Sequence, residues 1–288
     1  LKPAFGKVLS LQPTPNRHLP WPNAKPYLMP RGFNLTVYLM ITDPLFYFFA
    51  VPAVLIFGVA KGGFGNAIGV VCVPLMAMAV SPMQAAGILL PILCVMDVFA
   101  VRKFWGKWDS YNLMIMLPAA LVGVLLGSLT FSYLNESHVR LIIGLLALAF
   151  ALNFWLKSEL SIKQQPNRIK GAFWSTVAGF TSFGIHSGGP PVNFYLIPQK
   201  LHPTVFMGTC TIFFGITNYV KLIPYFWLGQ LDSENLLTSL VLLPLAPIGV
   251  SLGYYLHKRV SPLKFYQIFN FFLFMTGCKL TYDGLILL

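Results

Sequence analysis

Gly62-Gly-Phe-Gly-Asn-Ala-Ile-Gly-Val-Val-Cys-Val-Pro-Leu-Met-Ala-Met-Ala-Val-Ser-Pro-Met-Gln-Ala-Ala-Gly-Ile-Leu-Leu-Pro-Ile-Leu-Cys-Val-Met96 contains no Asp, Glu, Lys or Arg. A helix crossing a hydrocarbon core of about 30 Å needs about 20 apolar residues. As one straight helix this run would measure about 53 Å at about 1.5 Å per residue. It must therefore turn or break. Charge is also missing from 110–135, 171–199, 201–220 and 235–257. The whole chain of 288 residues holds 20 Lys and Arg and 8 Asp and Glu, with 56% hydrophobic residues and a mean hydropathy of +0.70. Its 10% charged content compares with about 25% in soluble domains. That excludes a soluble globule, a disordered chain and a disulfide scaffold. The reading is an all-α, polytopic integral membrane protein.

Membrane segments are expected at about 44–60, 66–80, 84–102, 110–134, 138–156, 171–183, 189–199, 203–226, 234–256 and 265–286. Those at 66–80, 171–183 and 189–199 are too short to span as ideal helices. Residues 1–39 form a basic arm, whose first 31 residues hold 7 of the 22 prolines and 5 of the 20 basic residues without an acid. It lacks the apolar core and small-residue site of a secretory signal. The cysteines, Cys72, Cys94, Cys210 and Cys278, sit singly in apolar segments and are read as reduced packing residues.

The chain aligns with itself at an offset near 124. Phe104-Trp105 matches Phe226-Trp227, and Gly106-Lys-Trp-Asp-Ser110 matches Gly229-Gln-Leu-Asp-Ser233. Pro118, Gly123 and Gly127 match Pro244, Gly249 and Gly253, and Ser137-x-x-Arg140 matches Ser261-x-x-Lys264. The expected domains are two homologous repeats of four to five segments, 40–157 and 171–288, joined by the linker 158–170. Duplicated helical membrane proteins are very often transporters, and short Gly/Pro-interrupted segments at matching positions point to their binding site.

Such a pair exists. The first is Gly58-Val-Ala-Lys61-Gly62-Gly63-Phe64-Gly65-Asn66. The second is Ser182-Phe-Gly-Ile-His186-Ser187-Gly188-Gly189-Pro190-Pro191-Val-Asn193. Glycines let the backbone leave helical geometry, and prolines suit the first turn of a new helix. That helix presents free N–H groups and a positive dipole end, which suits an anion. Lys61 is read as a counter-ion and His186 as a donor or proton carrier. Asp97 stands inside Pro91-Ile-Leu-Cys-Val-Met-Asp97, opposite Asn218 in the alignment. It is a second proton-coupling candidate, and pairing with Lys61 is the alternative. Asn218 and Lys221, three apart on one helix face, are secondary candidates. Lys279 and Asp283 are spaced as a structural i,i+4 pair.

The residues also resemble the TauE/SafE (sulfite exporter) family of membrane anion permeases over about 40–288. The likeness rests on Lys61-Gly-Gly-Phe-Gly, Val73-Pro-Leu75 and Ser81-Pro-x-Gln84-Ala-Ala86. In the second half it rests on Ala178-Gly-Phe-Thr-Ser-Phe-Gly-Ile-His186-Ser-Gly-Gly-Pro-Pro191 and Asn218-Tyr-Val-Lys221. The family often has a longer glycine run where Asn66-Ala67 stands. The resemblance implies two four-segment repeats, no cofactor, and transport of sulfite, sulfoacetate or another organosulfonate, often outward. It makes the glycine-flanked loops the anion site: Lys61, Gly62, Gly63, Gly65, Asn66, His186, Ser187, Gly188, Gly189 and Asn193.

No nucleotide-binding motif is present, so transport is expected to be secondary and by alternating access. An anion channel, or a permease for a small carboxylate, is the alternative. An intramembrane enzyme would need a nucleophile–base pair or a metal cluster, and neither spacing occurs; no catalytic residue and no metal ligand is assigned. The expected partners are a small anion and the lipid bilayer of the cell inner membrane, with no nucleic acid; a homodimer is kept open. Basic loops at 102–107, 157–170 and 257–264 favour the cytoplasmic side. That arrangement requires 171–199 to enter and leave on one side, and the repeats are then inverted. A single crossing at each break would instead make them parallel.

Overall fold

A computed structural model describes residues 40–64, 68–131, 133, 135–156, 164–257 and 262–287. The basic arm, Gly65, Asn66 and Ala67 lie outside the described residues, as do 158–163 of the linker and 258–261. The described chain is helical, with no strand among those residues. Its helices are α1 (Pro44–Val59), α2 (Cys72–Met76), α3 (Pro82–Lys103), α4 (Ser110–Phe131), α5 (Glu136–Leu156) and α6 (Arg168–Ile185). They continue with α7 (Gly189–Leu196), α8 (Pro203–Trp227), α9 (Ser233–Leu242), α10 (Leu245–His257) and α11 (Pro262–Ile286). Four helical stretches, Pro44–Gly63, Pro82–Lys103, Ser110–Thr130 and Pro203–Trp227, are long and apolar enough to cross a membrane, and α9 with α10 makes a fifth. The chain is a multi-pass membrane protein.

Local sequence sets the boundaries. Ser81 Oγ accepts from Gln84 N at 3.1 Å, with Pro82 in the first turn of α3. Asp109, Asn167 and Asp232 cap α4, α6 and α9 in the same way, at 2.8, 2.9 and 2.8 Å. A side-chain oxygen here satisfies an N–H that the first turn leaves without a helical partner. Gly106 and Gly229 take φ of 72° and 69° in the turns after α3 and α8, where a side chain would be strained. One expected segment is divided. The 234–256 run bends by 45° between α9 and α10 at Leu243-Pro244. Proline lacks the N–H and crowds the preceding turn.

Contacts along the helices fix their directions. Gly87 lies against Gln230 O, Tyr219 Oη reaches Cys94 O, Asn218 bonds Asp97, and Gly208 lies against Lys107 O. Later residues of α3 therefore meet earlier residues of α8, and the two helices run antiparallel. Gly144 with Thr281, Gly284 with Leu141, and Ser137 with Leu287 make α5 and α11 antiparallel too. By contrast, Gly58 meets Gly249 and Gly62 meets Gly253, so α1 and α10 are parallel. Gly179 with Ala120, and Gly127 with Phe183, make α4 and α6 parallel. The centre is α3, which is buried from Ala85 to Asp97 at every position but the half-buried Pro91 and Val95. A helix that is apolar on every side belongs in such a position.

Candidate functional site

Both interrupted segments double back. After α1 the backbone widens into a π-helical turn, Ala60–Phe64, and a 3₁₀ turn follows at Ile68–Val71 before α2. Gly69 packs on the ring of Phe57, so the returning chain lies alongside α1. The second segment retraces itself more completely. Gly188 packs on Ala178 O, Tyr195 on Gly171, and Gln164 N donates to Pro198 O at 2.8 Å. Residues 164–199 thus enter and leave at one end of the bundle. A buried amide pair fixes that end, with Asn112 Nδ2 donating to Gln199 Oε1 at 2.9 Å.

The turn of the second segment is His186, which ends α6 in the left-handed region at φ 53° and ψ 28°. A non-glycine residue there is uncommon and mildly strained, and such residues cluster at functional sites. His186 N donates to Ser182 O at 3.1 Å and Ser187 N to Thr181 O at 3.3 Å. Thr181 Oγ1 donates to Ser187 O at 3.1 Å. Two side chains of α8 also reach carbonyls of the break: Tyr225 Oη donates to Phe183 O, and Lys221 Nζ donates to Ser182 O at 3.0 Å. Exposed backbone is not tolerated at membrane depth, and this burial in protein is the condition for such a break.

Two polar groups form around the α3–α8 crossing. In the first, Lys61 Nζ, carried in by the π turn, donates to Asp97 Oδ1, while Asn218 Nδ2 donates to Asp97 Oδ2 at 2.7 Å. Both carboxylate oxygens are engaged. The sequence offered Lys61 as a counter-ion for a ligand or an interfacial lysine, and Asp97 as a proton carrier, a partner of Lys61 or an organiser of the core; the structure has the Lys61–Asp97 pair. In the second, Lys221 Nζ lies 3.1 Å from Ser182 Oγ and donates to His186 Nδ1 at 2.8 Å, and His186 Nε2 contacts Ala86 O at 2.9 Å. A carbonyl only accepts, so Nε2 carries the ring proton and Nδ1 is the acceptor that faces Lys221. The His186 ring stacks on Tyr225, with centroids 6.1 Å apart. Lys61, Asp97, His186 and Lys221 are all buried, Lys221 completely.

Ser187 Oγ is fully buried at the start of α7 without a hydrogen-bond partner. Gly189 opens α7, so its N–H has no helical acceptor. Two candidate glycines have packing roles. A Cβ on Gly62 would lie 2.2 Å from Val250 O, and one on Gly188 2.8 Å from Ala178 O. Gly63 is buried in the π turn, and Asn193 lies half-buried on α7 outside both groups. Sequence reasoning did not find Ser182 or Tyr225. Asn218, Lys221 and Tyr225, at i, i+3 and i+7, form a polar stripe on an otherwise apolar helix, and that spacing was the available signal. Lys279 Nζ donates to Asp283 Oδ2 at 2.6 Å as an i,i+4 pair, away from these groups. The four cysteines are free, three of them buried. Among the described residues no three His, Cys, Asp or Glu converge to hold a metal.

Comparison with known proteins gives two matches. The family model "Sulfite exporter TauE/SafE" matches residues 50–280. A protein of Cupriavidus necator named "Probable sulfite/organosulfonate exporter TauE" is 26% identical over 153 residues. That alignment covers 51% of this chain and 57% of the relative, so the chain spans a little over half the length of the relative it matches. No solved structure matches.

Proposed function

Since the chain belongs to the TauE/SafE sulfite exporter family, whose members are transporters and not enzymes, we propose that it is a secondary transporter of a sulfur-containing anion. Sulfite, sulfoacetate or another organosulfonate is the substrate, outward is the direction, and alternating access is the mechanism. The observation that carries this reading is the convergence of two doubled-back segments on one helix crossing, where Lys61, His186 and Lys221 are buried together with a single carboxylate, Asp97. The anion binds between the breaks. His186, Ser187 and the Gly188-Gly189 start of α7 act from one side, and Lys61 with Gly62 and Gly63 acts from the other; Gly65 and Asn66, outside the described residues, are assigned to the site from the sequence alone. Asn218 and Lys221 complete the surround, and Asn193 stays outside it. A sulfonate keeps its charge and offers three acceptor oxygens, so it matches a ring of donors with a positive potential.

We read the chain as two inverted repeats, 40–157 and 171–288. The support is geometric: equivalent helices α3 and α8 pack antiparallel, as do α5 and α11. Parallel repeats would pair them parallel. The starts of α4 and α6 share an end, which collects Lys107, Arg168 and Lys170 and faces the cytoplasm of a cell whose inner membrane holds the protein. Homodimers are the proposed assembly.

Thermal-shift measurements on purified protein with sulfite, sulfoacetate, taurine, thiosulfate and simple carboxylates test the substrate class. A bound ligand at about 100 times its Kd adds about 2.7 kcal/mol of stability. Stabilisation by a sulfur anion, with saturable exchange and counterflow in vesicles, supports the carrier. Stabilisation by carboxylates alone overturns the substrate, and non-saturable flux without counterflow assigns a channel.

A further inference from the structure

Lys221 is buried completely among Ser182 O, Ser182 Oγ and His186 Nδ1; as a neutral amine it donates its two N–H groups to Ser182 O and His186 Nδ1 and accepts from the Ser182 hydroxyl. All three are neutral, since His186 donates through Nε2 to Ala86 O and keeps Nδ1 as an acceptor. The titratable groups facing Lys221 are Lys61 from the π turn, Asp97 and Cys94 from α3, His186 from the end of α6, and Tyr225 on its own helix. Asp97 is the one buried carboxylate among the described residues, and Lys61 and Asn218 occupy both its oxygens. The Lys61–Asp97 pair is neutral as a unit. The C-terminal end of α6 offers Lys221 roughly half a negative charge. The fold therefore supplies no full counter-charge for this amine. Isolated buried ions cost several kcal/mol even after relaxation.

We propose that Lys221 binds one proton together with the transported anion, so that the anion brings the counter-charge the fold omits and the pair crosses as a neutral unit. This deepens the transporter reading and rests on it. The step balances simply. The lone pair of the Lys221 amine takes one proton from hydronium or a buffer acid, and the third N–H so formed donates to an oxygen of the anion where the amine had accepted from Ser182 Oγ. No other bond changes. On release the anion leaves and the proton returns to water on that side. His186 then orients the amine as well as facing the anion, and Asp97 is a positioning group that holds Lys61.

Calorimetry of the full chain in detergent tests this, with methanesulfonate as a probe whose charge does not titrate and sulfoacetate as a second probe. Titrations in two buffers of different ionisation heat at each pH count the protons taken up per anion. Toward alkaline pH the count should approach one and affinity should fall about tenfold per pH unit; toward acid pH the count should fall to zero and affinity level off. Lys221→Arg, which keeps its charge, should bind without proton uptake and with a flat pH profile, while Lys221→Met should lose binding. A sulfonate that binds the wild type with no proton uptake at any pH overturns the inference and leaves the transporter reading intact. So does proton uptake that persists in Lys221→Met. If no sulfur anion binds the folded wild type, the transporter reading fails and this inference fails with it. The wild-type proton count decides the matter even if both variants fail to fold.

Discussion

Asp97 accepts from Lys61 on one oxygen and from Asn218 on the other, in a place water does not reach. Removing its charge strands an ammonium. Asp97→Asn should therefore destabilise the protein by about 3–5 kcal/mol, and Lys61→Met with Asp97→Leu should recover most of that loss. Denaturant unfolding in detergent measures both. A loss in the single variant no larger than in the double would show that the pair is uncoupled. Tyr225→Phe leaves the Phe183 carbonyl buried without its donor, for an expected cost of about 1–3 kcal/mol. At this scale much was legible from sequence. Lys61 and His186 stand inside glycine breaks, and Asp97 stands alone in an apolar run. The depth of Lys221 was not legible, because a lysine's long stem reaches an interface from many positions. Its acceptors include a backbone carbonyl, which every residue carries and no motif marks.

Glycines set the closest approaches between elements. Cβ atoms at Gly62 and Gly253 would lie 2.2 Å from Val250 O and 2.3 Å from Val59 O. Gly62→Ala or Gly253→Ala must push α1 from α10, at an expected cost of about 1–3 kcal/mol each. Thermal unfolding of each variant checks this, and a change within about 0.5 kcal/mol would show that the interface yields freely. The four-residue spacing of Gly58 with Gly62 and of Gly249 with Gly253 was visible in the sequence and announces close helix packing. It does not say which helix meets which. Prolines were as ambiguous. Pro118 sits within an unbroken α4, whereas Pro244 marks the bend between α9 and α10. The breaks at 60–64 and 186–188 were legible because glycines and a titratable residue coincide at each, with two prolines added at the second.

For the whole molecule, the antiparallel course of α3 and α8 puts the turn after α3 and the turn after α8 at opposite ends. Single cysteines at Lys107 and Ser233, in a chain without its native cysteines, should label with an impermeant maleimide from opposite faces of sealed vesicles. Labelling of both from one face would overturn these helix directions. The sequence favoured that arrangement through its basic loops, but only the packing of α3 on α8 and α5 on α11 gives it physical form. The pairing of α1 with α10 has another consequence, which concerns time. Gly58 and Gly249 stand 191 positions apart. At about 5–20 residues per second of synthesis, α1 emerges roughly 10–40 s before the helix that covers it. In that interval its glycine face meets only lipid or the insertion machinery, and the bundle closes late, from the C-terminal half back onto the first helix.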